Sequence, residues 1–141
     1  MYQIVTARVA LLVVTTIPYF AATAAAEQIN VNWLGGAGNW SNVAKWSGGV
    51  VPNNGGGTTY NVFIDNGNAL ASPVSLDLGV TIDNLTIDPD DGLSINNGQN
   101  LFISGAAGAG AVSNAGAINL NSAGGFTSIR PMSGTVTIEP S

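Results

Sequence analysis

Trp33, Trp40 and Trp46 lie in a run of small polar residues, Trp33-Leu34-Gly35-Gly36-Ala37-Gly38-Asn39-Trp40-Ser41-Asn42-Val43-Ala44-Lys45-Trp46-Ser47-Gly48-Gly49. Residues of these types can do one kind of chemistry well. A flat indole stacks on the apolar face of a sugar ring, and nearby Asn and Ser side chains can bond the sugar hydroxyls. The competing use is structural. Three large apolar side chains can cover the open end of a stack of strands, while glycines let the backbone pass close by. Trp33, Trp40 and Trp46 are therefore carbohydrate-binding candidates and, more economically, a cap, with Tyr60 and Phe63 packing beneath them.

A second group is acidic. Asp83, Asp88, Asp90 and Asp91 lie close in sequence, and carboxylate oxygens at this density can hold Ca²⁺. The loop D-x-[DN]-x-[DN]-G with a distal Glu is absent, however, and Asp88-Pro89-Asp90-Asp91-Gly92 is also an ordinary turn sequence. A turn is expected here, with no metal site.

The chain has no His and no Cys. That removes serine–histidine and cysteine–histidine nucleophiles and the usual zinc ligands. Paired carboxylates for glycoside cleavage would have only Lys45 and Arg130 to work with, far apart in the chain. No catalytic residue, cofactor or metal site is expected, and the chain reads as non-enzymatic.

The elements that must position these residues are strands. Leu85/Ile87, Leu93/Ile95, Leu101/Ile103, Ile118/Leu120 and Val136/Ile138 are apolar pairs two residues apart, a spacing that puts both side chains on one face of a strand. Tyr60–Asp65 and Val74–Leu76 read as two further strands. No segment past residue 26 has a helical period. Turn formers separate the pairs, as in Asn96-Asn97-Gly98, Asn114-Ala115-Gly116 and Gly124-Gly125.

Two longer series are visible. Leu85, Leu101, Ile118 and Val136 step by 16 to 18 residues, and Leu76, Leu93, Val112 and Ile129 by 17 to 19. Interleaved series near 17 suit a parallel β-solenoid with at least two strands per turn, each turn stacked about 4.8 Å on the last. The alternative is an antiparallel β-sandwich, which predicts hairpins and no longer repeat.

Three regions follow from this. Residues 1–26 read as a secretory signal peptide: Arg8, an apolar core from Val9 to Phe20, and small residues ending in Ala24-Ala25-Ala26, with cleavage after Ala26 or Ala24. Residues 27–59 form the Trp/Gly/Asn-rich cap region and residues 60–141 the solenoid turns. Beyond residue 26, two basic side chains face eight acidic ones. That balance argues against nucleic acid and anionic membranes as partners. Without cysteine, stability must come from packing and backbone pairing.

The block W-x-G-G-x-G-N-W-S-N-x-x-x-W-S-G-G-x-x-P-N-N, Trp33 to Asn54, resembles the N-terminal motif of bacterial exported β-helix surface proteins, autotransporter passenger-like and PEP-CTERM-type. Asn84-Leu85-Thr86-Ile87, Gly92-Leu93-Ser94-Ile95 and Ala117-Ile118-Asn119-Leu120 are similar to their repeats. The resemblance implies a secreted or cell-surface structural or adhesion module without catalytic activity. Its alternative is a carbohydrate-binding module using Trp33, Trp40 and Trp46. In a bacterial protein the sequon-like Asn39-Trp40-Ser41 and Asn84-Leu85-Thr86 carry no glycan. The chain departs from the family in having neither an autotransporter barrel nor a C-terminal sorting signal. A last strand running up to Ser141 implies a truncated chain or end-to-end stacking on another solenoid segment. The partners left open are an extracellular polysaccharide, the cell envelope and such a segment.

Overall fold

The computed structural model describes residues 25–64, 67, 69–105, 110–135 and 137–140. The expected signal peptide lies outside the described residues except for Ala25 and Ala26, as does Val136.

The described chain is all-β. Its strands are β1 (Glu27–Asn32), β2 (Gly38–Asn39), β3 (Thr58–Ile64), β4 (Pro73–Leu76), β5 (Val80–Ile82), β6 (Asn84–Ile87), β7 (Gly92–Ile95), β8 (Asn100–Ile103), β9 (Ala111–Asn114), β10 (Ala117–Leu120), β11 (Ser128–Pro131) and β12 (Thr137–Pro140). Two short 3₁₀ turns, Val43–Lys45 and Ser47–Gly49, interrupt the tryptophan block.

The strands form three sheets. The first has the order β1-β3-β6-β9-β12, the second β10-β7-β4-β2, and the third β11-β8-β5. From β3 onward the chain visits the sheets in a fixed cycle: first, second, third, then first again. Every strand pairing is parallel. The antiparallel pairings are two isolated bridges, Trp33 with Trp46 and Gly55 with Thr58. The hairpins that a sandwich requires are thus not what this chain forms.

Register aligns like with like. Val31, Val62, Leu85, Val112 and Ile138 fall in one column of the first sheet. Val74, Leu93 and Ile118 share one in the second, and Val80, Leu101 and Ile129 one in the third. Apart from Ile138, these residues and their neighbours two along, such as Ile64, Leu76, Ile82 and Ile95, form a single apolar cluster fed by all three sheets. Each fully buried aliphatic side chain contributes roughly 1.5–3 kcal/mol, so this cluster is the main source of stability.

Leu85/Ile87, Leu93/Ile95, Leu101/Ile103 and Ile118/Leu120 lie on strands, but the 17-residue rhythm is not the step between paired strands. Leu85 pairs with Val112, not with Leu101, which belongs to the third sheet. In-sheet steps vary, from 19 residues between Val74 and Leu93 to 36 between Gly38 and Val74. The connections set the variation. Asp83 alone joins β5 to β6, whereas residues 121–127 join β10 to β11.

Outward positions carry a different ladder. Asn30, Asn61 and Asn84 are register partners on the first sheet. Asn61 Nδ2 donates to Asn30 Oδ1 at 2.9 Å, Asn84 Nδ2 donates to Asn61 Oδ1 at 2.8 Å, and Ala111 N donates to Asn84 Oδ1 at 2.9 Å. Stacked asparagines of this kind add side-chain bonds parallel to the backbone ladder.

Candidate functional site

The tryptophan block closes on itself. Trp33 N donates to Phe63 O at 2.8 Å, which ties the end of β1 to β3, and Leu34 N donates to Lys45 O at 2.8 Å, which folds the loop back. Gly35 and Gly36 have φ of +91° and +71°, left-handed angles that glycine adopts without a Cβ clash. Gly38 lies against the Trp33 ring, where a Cβ would stand 3.0 Å from Cζ2.

The three indoles meet edge to face. The Trp33 and Trp46 centroids are 4.9 Å apart at 82°, and those of Trp40 and Trp46 are 4.7 Å apart at 64°. Each indole N–H has a backbone acceptor: Trp33 Nε1 donates to Gly36 O at 2.8 Å, Trp40 Nε1 to Pro52 O at 3.2 Å, and Trp46 Nε1 to Trp40 O at 2.7 Å. Exposure is 2% for Trp33, 0% for Trp40 and 1% for Trp46. Stacking on a sugar needs an accessible ring face, and none of the three presents one. Trp33, Trp40 and Trp46 are therefore corrected from carbohydrate-binding candidates to core residues. Lys45 is held too, with Nζ donating to Gly35 O at 2.9 Å and lying 5.8 Å from the Trp33 ring centroid. Tyr60 is half-buried against the apolar core. Phe63 does not, because it alternates with the buried Val62 and Ile64 and so faces outward.

Asp77, Asp83 and Asp91 each lie on a different connection between sheets, and Asp88 and Asp90 share the connection of Asp91. Asp77 follows β4: its Oδ1 accepts from Ser41 N at 3.0 Å and its Oδ2 from Ser41 Oγ. Asp91 precedes β7, is 6% exposed, and accepts from Ser72 N at 2.7 Å. Ser72 Oγ in turn accepts from Gly36 N at 3.1 Å. Asp83 stands between β5 and β6. Each carboxylate thus bonds a neighbouring pass of the chain at a different one of the three sheet-to-sheet connections. Asp88 accepts from Gly67 N at 2.8 Å, and Asp90 occupies a turn at φ +69°. The expected turn at Asp88–Gly92 is present. No group of three or more acidic residues fit to hold a metal ion occurs among the described residues.

Asp83 has the most elaborate surroundings. It is 3% exposed. Its Oδ1 accepts from Ser104 Oγ at 2.7 Å and Asn54 Nδ2 at 2.8 Å, and its Oδ2 accepts from Gln28 Nε2 at 2.9 Å. Asn54 Nδ2 also donates to Ser104 Oγ at 2.8 Å, and Asn54 Oδ1 accepts from Tyr60 N at 2.9 Å. Burial raises the carboxyl pKa, but bonds from Ser104, Gln28, Thr59 and Asn54 outweigh it and hold the group below its ordinary value. A carboxylate so stabilised is a weak base, and its lone pairs are already occupied.

A cleft of about 470 Å³ lies beside it, lined by Ala25, Ala26, Gln28, Thr59, Asp83, Ser104 and Gly105. The Asp83 network was not foreseen from sequence, where Asp83 reads as one of four clustered acids. A signal existed: Asp83 and Ser104 are 21 residues apart, the same step as their sheet partners Val80 and Leu101. The two therefore occupy equivalent positions on successive passes.

No protein-family model, curated protein or solved structure matches this chain.

Proposed function

We propose that the chain is a parallel β-solenoid with three strands per turn that serves as an exported structural or adhesive element of a bacterial cell surface. The observation that carries this reading is the cycle of strands through three parallel sheets, with one apolar cluster shared among them. Such an architecture makes a stiff rod whose outer faces are free for contact.

Two further features support it. β1 begins at Glu27, directly after the Ala24-Ala25-Ala26 cleavage sequence. The tryptophans follow β1 and β2, which are the terminal strands of their sheets. Buried there, the indoles act as the lid of the first turn, and the likeness of Trp33–Asn54 to exported β-helix surface proteins points the same way.

At the opposite end the inward columns lose their cover. Leu120 is 50% exposed and Ile138 58%, whereas their register partners Ile95 and Val112 are at 0%. A further layer of strands is the partner that would bury them. The test is expression with the chain's own leader in a bacterial host. Cell-surface or medium fractions should contain a chain beginning at Glu27 by intact mass, and beads coated with it should adhere to envelope material. Accumulation of the uncleaved chain in the cytosol contradicts the reading.

A further inference from the structure

We propose that Phe126 and Arg130 form a binding subsite for a carboxylate-bearing sugar, as found along an acidic polysaccharide. Phe126 is 92% exposed, yet the connection that carries it is firmly built. Asn97 Oδ1 accepts from Ala123 N at 2.8 Å and Gly125 N at 3.0 Å. Thr127 Oγ1 donates to Asn121 O at 3.2 Å and accepts from Gly98 N at 3.1 Å. Gly125 packs so tightly that a Cβ would stand 2.9 Å from Gly98 Cα. An aromatic ring is thus held out in solvent by a fixed loop, which removes the ordering cost that a mobile loop would add to binding.

The cation beside it is set in the same way. Arg130 lies on β11, in register with Phe102 of β8. Its guanidinium is 4.9 Å from the Phe102 ring centroid, and Nη2 donates to Asn100 Oδ1 at 3.4 Å. Both contacts are neutral, so the positive charge stays available. Of the two cations beyond residue 26, Lys45 is engaged with Gly35 O and the Trp33 ring. Arg130 is therefore the exposed cation among the described residues of a chain with net charge −5, and the place where an anionic group meets attraction. Phe126, Thr127, Ser128 and Arg130 line one open cleft of about 350 Å³, the low end of the range for ligand pockets.

The ligand class follows from the pairing. A planar guanidinium matches a carboxylate in two-point geometry, and a phenyl face matches the C–H face of a pyranose ring. A uronate residue presents both from one small unit. This inference names a ligand for the adhesive reading and deepens it. Binding by the purified chain is nevertheless measured independently of export, so the two can fail separately.

The test is calorimetric titration of the purified chain with galacturonate and glucuronate tetramers, and with a neutral glucose tetramer as control. One acidic oligomer should bind, weakening as salt rises, and the neutral one should bind at least tenfold more weakly. Arg130→Ala and Phe126→Ala should each reduce affinity about tenfold, and Arg130→Lys should reduce it less, with thermal unfolding unchanged in all three. Equal binding of the neutral oligomer, absence of binding by both acidic oligomers, or affinity unaffected by both alanine variants overturns the proposal. So does a concentration-dependent dimer that buries Phe126.

Discussion

At the scale of single residues, a polar side chain in this fold is stable only where its bonds close. Asp83 illustrates the closed case. Its bonds from Ser104, Asn54 and Gln28 all run from donor to carboxylate. An amide in its place would turn an NH₂ toward other donors. Asp83→Asn should therefore cost about 1–3 kcal/mol, measured by chemical unfolding at pH 7. The pH dependence has a definite sign. Because the folded pKa is lowered from the ordinary 3.8, the stabilisation is complete above that value and is lost as pH falls through the folded pKa. The wild-type chain should lose part of its thermal stability below about pH 4, and Asp83→Asn should flatten that loss. Asn114 is the open case. It occupies the column of Ile87, an inward position, and its Oδ1 is buried without a partner among the described residues. Asn114→Ile should raise stability by roughly 1 kcal/mol, read as an upward shift in melting temperature, because it removes an unsatisfied acceptor.

At the scale of elements, the strands were legible and their partners were not. Alternation such as Leu93-Ser94-Ile95 reports a strand locally, because side chains two apart share a face. Which strands pair depends on the lengths of the connections, and these carry no periodic signal. The single residue Asp83 and the seven residues 121–127 perform the same kind of task. The near-constant 17-residue spacing joined different columns, mostly from different sheets. β1, β2 and β5 were missed as strands, and β9 and β11 were marked only by Val112 and Ile129 in the longer series. Ile29 and Val31 alternate plainly but sit between the small-residue run Ala24-Ala25-Ala26 and the tryptophans, and Val80-Thr81-Ile82 is pressed between Gly79 and Asp83. The tryptophan block was legible as a special structure. Its burial was not, because an indole suits a sugar face and a core equally well until the chain around it is placed. Glycines at the connections are equally strict. A Cβ on Gly116 would strike the Asp91 and Asp88 carbonyl oxygens. Backbone cannot yield as a flexible side chain does, so Gly116→Ala should destabilise the chain by about 1–3 kcal/mol, measured by denaturant midpoint at constant m-value. An unchanged midpoint would mean that this connection is looser than described.

At the scale of the whole molecule, the proposed solenoid has unlike ends. One is filled by Trp33, Trp40 and Trp46, whose N–H groups all have acceptors. The other leaves Leu120 and Ile138 exposed in columns that are otherwise dry. Exposed apolar columns beside unpaired strand edges favour stacking on another strand layer. The purified chain should therefore self-associate as concentration rises, by light scattering, and Leu120→Lys with Ile138→Lys should abolish this while leaving the circular dichroism of the chain intact. Association unaffected by both changes would place the contact elsewhere.

The central claim is the cycle through three parallel sheets, and a cysteine-free chain offers a direct measurement of it. Paired cysteines at register partners place sulfurs within disulfide reach, since parallel neighbours lie about 4.8 Å apart. One outward pair can be chosen in each sheet: Thr86→Cys with Ser113→Cys in the first, Ser75→Cys with Ser94→Cys in the second, and Thr81→Cys with Phe102→Cys in the third. Under mild oxidation each double variant should form an intramolecular disulfide, seen as a loss of free thiol in the monomer. Thr86→Cys with Phe102→Cys, the pair that the 16-residue step from Leu85 to Leu101 would align, should stay reduced. Closure of that last pair, with the three register pairs remaining open, would contradict the account.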